Sequence, residues 1–177
     1  ISINPLIETG MRKFKHPQNP LEMLGSGKSI ADQHIRVRIN GDLALFRGIN
    51  NLLLKDEMYD SNFIANFTSN FEEYIESISE VEWSVIEEIS GVSKSEIQTL
   101  ANIIANSKSM ITCWAMGITQ HHNSVETIQE IVNTHLIGGH IGREGAGVCP
   151  VRGHSNVQGD RTVGINHIIT PEFADRI

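Results

Sequence analysis

Met110-Ile111-Thr112-Cys113-Trp114-Ala115-Met116-Gly117-Ile118-Thr119-Gln120, followed after two histidines by Asn123-Ser124-Val125-Glu126, decides the fold class of this chain. The first six residues are apolar or small and bounded by Ser109 and Gly117, so they read as a buried strand. Asn123 and Glu126 are placed to cap a helix whose inner face is Val125, Ile128, Ile131, Val132 and Leu136. A strand that passes through a short turn into a capped helix belongs to an α/β arrangement with a parallel sheet, and ligands bind at the carboxyl ends of such strands. Met116, Gly117 and Gln120 are therefore candidate ligand contacts. Gly117 allows close backbone approach, Gln120 offers both a donor and an acceptor, and the following helix presents free N–H groups suited to phosphate. An ordinary β–α turn would carry the same single glycine, and the two readings stand side by side.

Upstream, the chain opens on a short apolar stretch, Ile1-Ser2-Ile3, that stops at Asn4-Pro5. A strand starting at the first residue, with Ile in place of Met, suggests a piece of a larger protein. A loop rich in breakers follows (Pro17, Pro20, Gly25, Gly27). His34-Ile35-Arg36-Val37-Arg38-Ile39 alternates with period two and predicts a half-buried strand. Asn40-Gly41 reads as a turn, and Asp42 as the cap of a helix to about Lys55 with Leu45, Phe46, Ile49, Leu52 and Leu53 on one face. From Ser61 to Ser107 the pattern is helical. Gly91 ends one helix, and Ser93 with Glu96 forms a capping box for the next. The strand over 110–115 and the helix from Asn123 complete the alternation of strands with helices.

Residues 138 to 164 hold Gly138, Gly139, Gly142, Gly145, Gly147, Gly153, Gly159 and Gly164, eight of the fifteen glycines. A tract this long without periodicity is functional or disordered, and Val148, Val151 and Val157 favour an ordered loop around a polar ligand over a solvated surface loop. Arg152 can hold an anion bidentately, and Asn156 and Gln158 can pair with a heterocycle. The eight histidines lack metal-motif spacing, so His135 and His140 read as helix-end or surface residues. Cys113 reads as core and Cys149 as part of the exposed loop, with no base beside it.

A net charge of -7 argues against a nucleic-acid binder. No apolar run reaches the roughly 20 residues needed to cross a bilayer, which predicts no membrane insertion. Two cysteines exclude a disulfide framework and a thiolate-built zinc or cluster site. With no targeting signal, these features suit the cytoplasm.

Several of these segments resemble one family. Ala115-Met116-Gly117-Ile118-Thr119-Gln120 with Val125-Glu126-Thr127, then Gly142-x-x-Gly145-Ala146-Gly147-Val148, Pro150-Val151-Arg152-Gly153 and Asn156-Val157-Gln158-Gly159, look like formate dehydrogenase alpha subunits of the molybdopterin oxidoreductases. Ile3-Asn4-Pro5, Ile30-Ala31-Asp32, Val37-Arg38 and Gly41-Asp42-x-Ala44-Leu45 are similar to the same proteins' middle domain. The resemblance implies the truncated central portion of a multidomain oxidoreductase, α/β with a Rossmann-like parallel sheet and flanking helices. Residues 1–108 would belong to a Rossmann-like guanine-dinucleotide-binding domain lacking its first strand, with a helical segment. Residues 109–177 would belong to a second α/β domain ending in the Gly-rich cofactor loop.

The resemblance further implies two molybdopterin guanine dinucleotides chelating molybdenum or tungsten, and an iron–sulfur cluster held by a part of the parent outside these residues. It also implies a small substrate such as formate and a redox partner. Asn4 and Asp42 fall where relatives contact guanine, although Asn4 replaces a common Asp. Met116, Gly117 and Gln120, with Asn156 and Gln158, would bind cofactor, and Arg152 would orient the substrate carboxylate. None of these residues is expected to ligate metal. His154 stands where formate dehydrogenases usually have Gln, which suits a less characterised formate dehydrogenase-like branch. The competing expectation is a non-catalytic nucleotide-binding or interaction domain that keeps the family fold.

Overall fold

The computed structural model describes residues 1–154, 157–164 and 170–176. Near the amino end, β1 (Ser2–Ile3) lies parallel to β2 (His34–Ile35), with Ser2 opposite His34 and Ile3 opposite Ile35. Between them the expected breaker loop contains two short helices, α1 (Thr9–Arg12) and α2 (Pro20–Leu24). Asn19 caps α2, its side chain accepting from the N–H groups of Leu21 and Glu22, and Pro20 occupies the first turn, where its missing N–H costs nothing. The strand expected over His34–Ile39 stops at Ile35, because the Arg38 N–H donates to the Ser90 carbonyl (2.7 Å) instead of to a strand neighbour.

The middle of the chain is helical: α3 (Asp42–Lys55), α4 (Ser61–Phe67), α5 (Phe71–Ser79), α6 (Trp83–Ser90) and α7 (Lys94–Ala105). Gly91 ends α6 at φ 71°, a left-handed conformation that glycine adopts without steric penalty. Ser93 and Glu96 form the expected capping box on α7. Then come β3 (Ile111–Trp114), the single-turn helix α8 (Met116–Thr119), α9 (Ser124–Ile137), β4 (Gly147–Pro150), α10 (Val157–Thr162) and α11 (Pro171–Ala174). The Gly-rich tract is thus not all loop. It supplies β4, which pairs parallel to β3 with Ile111 opposite Gly147, Cys113 opposite Cys149 and Trp114 opposite Pro150. The α/β class with parallel pairing stands, in the form of two separate two-stranded sheets among the described residues.

α3 is the hub of the core. Its Leu45, Ile49, Leu52 and Leu53 are buried against Ile86 of α6, Ile97 and Leu100 of α7, and Ile131 of α9. Gly48 admits the neighbouring helices closely: a Cβ there would sit 3.3 Å from Ile86 Cγ2 and Ile97 Cγ2.

The α3–α9 contact is polar at its centre. Asn50 Nδ2 donates to Glu130 Oε2 (2.9 Å) and to the Glu130 carbonyl (3.0 Å), while Thr134 Oγ1 donates to Asn50 Oδ1 (2.7 Å). Tyr74 of α5 donates its hydroxyl to Glu130 Oε2 (2.5 Å). Burial first, and the Glu130 charge second, push the Tyr74 phenol well above its ordinary range, so it remains a donor. The expected inner face of α9 holds at Ile131 and at the partly buried Ile128, and these bonds add polar residues to it. Thr127, Glu130, Ile131, Thr134, His135 and Ile137 are buried, while Val125 is 64% exposed.

His135 and His140 are likewise buried, not at the surface as their spacing suggested. The His140 carbonyl can only accept, so the proton of His135 sits on Nδ1 (3.2 Å) and Nε2 accepts from Thr112 Oγ1 (2.8 Å). Burial lowers the pKa of both imidazoles, and for His140 the Arg143 charge adds to it. β3 differs from expectation too: Ile111 and Cys113 are exposed and only Trp114 is buried, because the pair has one covered face.

Two predictions follow from this packing. Asn50→Ala removes one donor to a buried carboxylate and leaves Thr134 without its acceptor, and should cost roughly 2–4 kcal/mol in urea denaturation, with Tyr74→Phe costing about half as much. His135 and His140 titrate below the ordinary histidine range when folded, so the unfolded chain binds more protons as pH falls through about 6.5. The urea midpoint should therefore be level above about pH 7 and drop between pH 6.5 and 5.5; a flat profile would count against neutral buried imidazoles.

Candidate functional site

The two strands of the second sheet deliver their carboxyl ends to one place. β3 runs through Ala115 into α8, whose last turn closes with the Gln120 N–H donating to the Met116 carbonyl (3.1 Å). β4 runs through Val151, whose N–H donates to the Trp114 carbonyl (2.7 Å), into Arg152 and Gly153. Because the strands are parallel, Met116 and Gly153 emerge side by side. A Cβ on Gly153 would lie 2.5 Å from Met116 Sδ, so only glycine fits there without moving the thioether. A Cβ on Gly117, by contrast, would have no neighbour within 4 Å, and this backbone faces open space.

Asp42 reaches the same neighbourhood from α3. α3 and α9 run in the same direction: Asp42 approaches His121, Asn50 bonds Glu130 and Thr134, and the Asp60 N–H donates to the Ile137 carbonyl. Their amino ends therefore converge. Asp42 is the first residue of α3 and not its cap; Gly41 holds the cap position without a side-chain bond. The Asp42 carboxylate accepts from its own backbone N–H and sits 3.9 Å from His121 Nδ1. Burial raises its pKa, against the opposing pull of that N–H and of His121. Gly41 makes this placement sterically feasible, since a Cβ there would fall 2.8 Å from the Ile89 carbonyl oxygen and 2.9 Å from Ser90 Cα.

Three buried polar atoms at this turn have no hydrogen-bond partner: Trp114 Nε1, His121 Nδ1 and Asn123 Oδ1. Buried polar groups are rarely left so. Unpaired donors and acceptors beside an open glycine backbone fit a polar heterocyclic ligand, and the residues present are thus compatible with a pterin nucleotide. Sequence reasoning missed His121 as a site residue; its position directly after Gln120 was the available signal.

The other candidates are spread wider. Asn4 directly follows β1 of the first sheet, its N–H donating to the Ile35 carbonyl (3.0 Å) and its Nδ2 to Glu8 Oε1 (3.4 Å). Gln158 lies exposed on α10, and Asn156 falls outside the described residues. Among the described residues no three His, Cys, Asp or Glu side chains converge to hold a metal ion, and no helix is long and apolar enough to cross a membrane. A hollow of about 740 Å³, lined by Met58, Tyr59, Lys108, His140 and Arg143, opens at the carboxyl ends of α3, α7 and α9, the opposite end from Asp42.

Comparison with known proteins places this arrangement. No protein-family model matches the chain. Protein YdeP of Escherichia coli is 44% identical over all of this chain, which covers 25% of that protein. Formate dehydrogenase H of Escherichia coli is 37% identical over 76% of this chain and 19% of its own length. Acetylene hydratase from Pelobacter acetylenicus superposes with a TM-score of 0.61 and 29% identity, over 66% of this chain and 16% of its own.

These relatives are molybdopterin enzymes, and the likeness supports a molybdopterin oxidoreductase family fragment. The chain spans about a quarter of the length of the first curated relatives that it matches. Within this segment, Gly41→Ala should push Asp42 out of place and destabilise the protein by roughly 1–3 kcal/mol, because the obstruction is backbone. Gly117→Ala, with open space around it, should stay within about 0.5 kcal/mol. Thermal melts of both variants check the contrast.

Proposed function

We propose that this chain forms part of the cofactor and substrate cradle of a molybdopterin guanine dinucleotide-dependent oxidoreductase resembling formate dehydrogenase. The observation that carries the reading is the convergence of the β3 and β4 carboxyl ends, with Gly153 packed on Met116 and Asp42 facing the same turn. In this reading residues 1–108 are part of a Rossmann-like guanine-dinucleotide domain and residues 109–177 part of a second α/β domain. The Asp42 carboxylate accepts from the paired N–H donors on one edge of guanine, with Asn4 as a further guanine contact. Met116, Gly117 and Gln120 line the pterin or its phosphates, Asn156 and Gln158 bind from the Gly-rich tract, and His121 and Asn123 gain partners. Arg152 holds the carboxylate of formate or a similar small substrate through charge-assisted hydrogen bonds.

When bound, a molybdenum or tungsten ion chelated by two such pterins takes up the two electrons of the oxidation. The metal's protein ligand and an iron–sulfur cluster would be supplied by other parts of the parent, which we assign to the cytoplasm.

The test uses the full-length protein. Metal analysis should find molybdenum or tungsten with guanine released on denaturation, and formate should reduce an artificial dye acceptor. Arg152→Lys should lower kcat/KM by roughly 10²-fold with metal content unchanged, since a point charge replaces a planar fork. A parent active without metal and pterin would refute the reading, and unchanged kinetics in Arg152→Lys would remove that residue from it.

A further inference from the structure

The two cysteines of this chain face each other across the β3–β4 ladder, Cys113 opposite Cys149. Paired residues on adjacent strands are separated by about 4.7–4.9 Å, inside the Cα–Cα range of about 4.4–6.8 Å that a disulfide spans. In-register neighbours point to the same side of a sheet. Thr112 turns inward to His135, so Cys113 turns outward, and both cysteines are free and exposed. Among the described residues no third ligand of the His, Cys, Asp or Glu type joins them, which leaves thiol oxidation, not zinc binding, as the chemistry open to the pair.

We propose that Cys113 and Cys149 are an oxidant-responsive dithiol that closes to an intramolecular disulfide under hydrogen peroxide. One thiolate attacks the peroxide, an S–O bond forms as the O–O bond breaks, and water leaves. The second thiolate then attacks that sulfenic sulfur, an S–S bond forms, and the oxygen departs as a second water. Two thiols and one peroxide give one disulfide and two waters; a small dithiol reverses it by exchange. Surrounding protein, and then the hydrogen bond with Cys149, push the Cys113 thiol up. This disfavours Cys113 as the first nucleophile.

The position gives the bond a consequence. Cys113 precedes Met116 by three residues and Cys149 precedes Arg152 by three. Oxidation would clamp together the two strands that carry the candidate site, independently of which ligand that site takes.

Trypsin separates the cysteines into peptides 109–143 and 144–152. After peroxide treatment of the folded full-length protein, mass spectrometry without reductant should find the two peptides as one species. Its mass should be lighter than their sum by two hydrogen atoms, and dithiothreitol should release them. Cys149→Ser should abolish this species, leaving Cys113 to sulfinic acid or to pairing with other thiols. Separate over-oxidation of the two peptides in the unmutated protein, or two unreacted thiols, would overturn the proposal.

Discussion

A carboxylate buried between two helices sets the frame. Glu130 is 9% exposed, and leaving such a charge without donors would cost several kcal/mol. Asn50 and Tyr74 supply the donors; the half-exposed Arg47, 3.8 Å away, adds a screened attraction that counts for less. Asn50 satisfies Glu130 while Thr134 satisfies Asn50, so the bonds are made only when α3 and α9 lie in one register. That register reaches the site. Asp42 lies eight residues before Asn50, and His121 nine before Glu130. At about 1.5 Å per residue, fixing the helix centres fixes which ends meet. Asp42 faces the Met116–Asn123 turn because Asn50 faces Glu130.

This polar clamp also explains where the sequence was legible and where it was not. α3 could be read to within a residue of its start, because Leu45, Ile49, Leu52 and Leu53 repeat at helical spacing and all four are buried. The capping box at Ser93 and the glycine stop at Gly91 are local chemistry that no tertiary contact overrides. α9 could be located but not oriented. Hydrophobic periodicity selects Val125, which is exposed, and misses Thr127, Glu130, Thr134 and His135, which are buried. A polar residue is buried when its partner is present, and Glu130, Thr134 and His135 each have a partner 23 to 84 residues away in the chain. No window of α9 alone contains that information.

The candidate site divides the same way. The Met116–Gln120 turn was readable from the strand, glycine and helix around it. The role of Asp42 could be located but not described, since a cap and a ligand contact have the same residue at the same place. The structure shows it a residue further in, on a helix start that only Gly41 can bring so near the α6 carboxyl end. β4 was hidden because Gly147 and Pro150 bound it and an open loop shows the same composition. Its strand character comes from β3: the Gly147 N–H donates to the Met110 carbonyl and the Val151 N–H to that of Trp114.

A two-stranded sheet is marginal without support, and β3–β4 finds its support on one side. Trp114 packs into the core, and Thr112 donates to the buried His135, which in turn holds the loop through the His140 carbonyl. The other side leaves Ile111 and Val151 exposed. The site therefore rests on a sheet with apolar cover on one face, joined to the core around α3 through Trp114. Changes in β4 should then disturb the position of Arg152 with little loss of global stability, whereas changes at Asn50 or Glu130 act on both. Stability and site geometry are coupled through α9, which shares Glu130 with the core and begins three residues after His121.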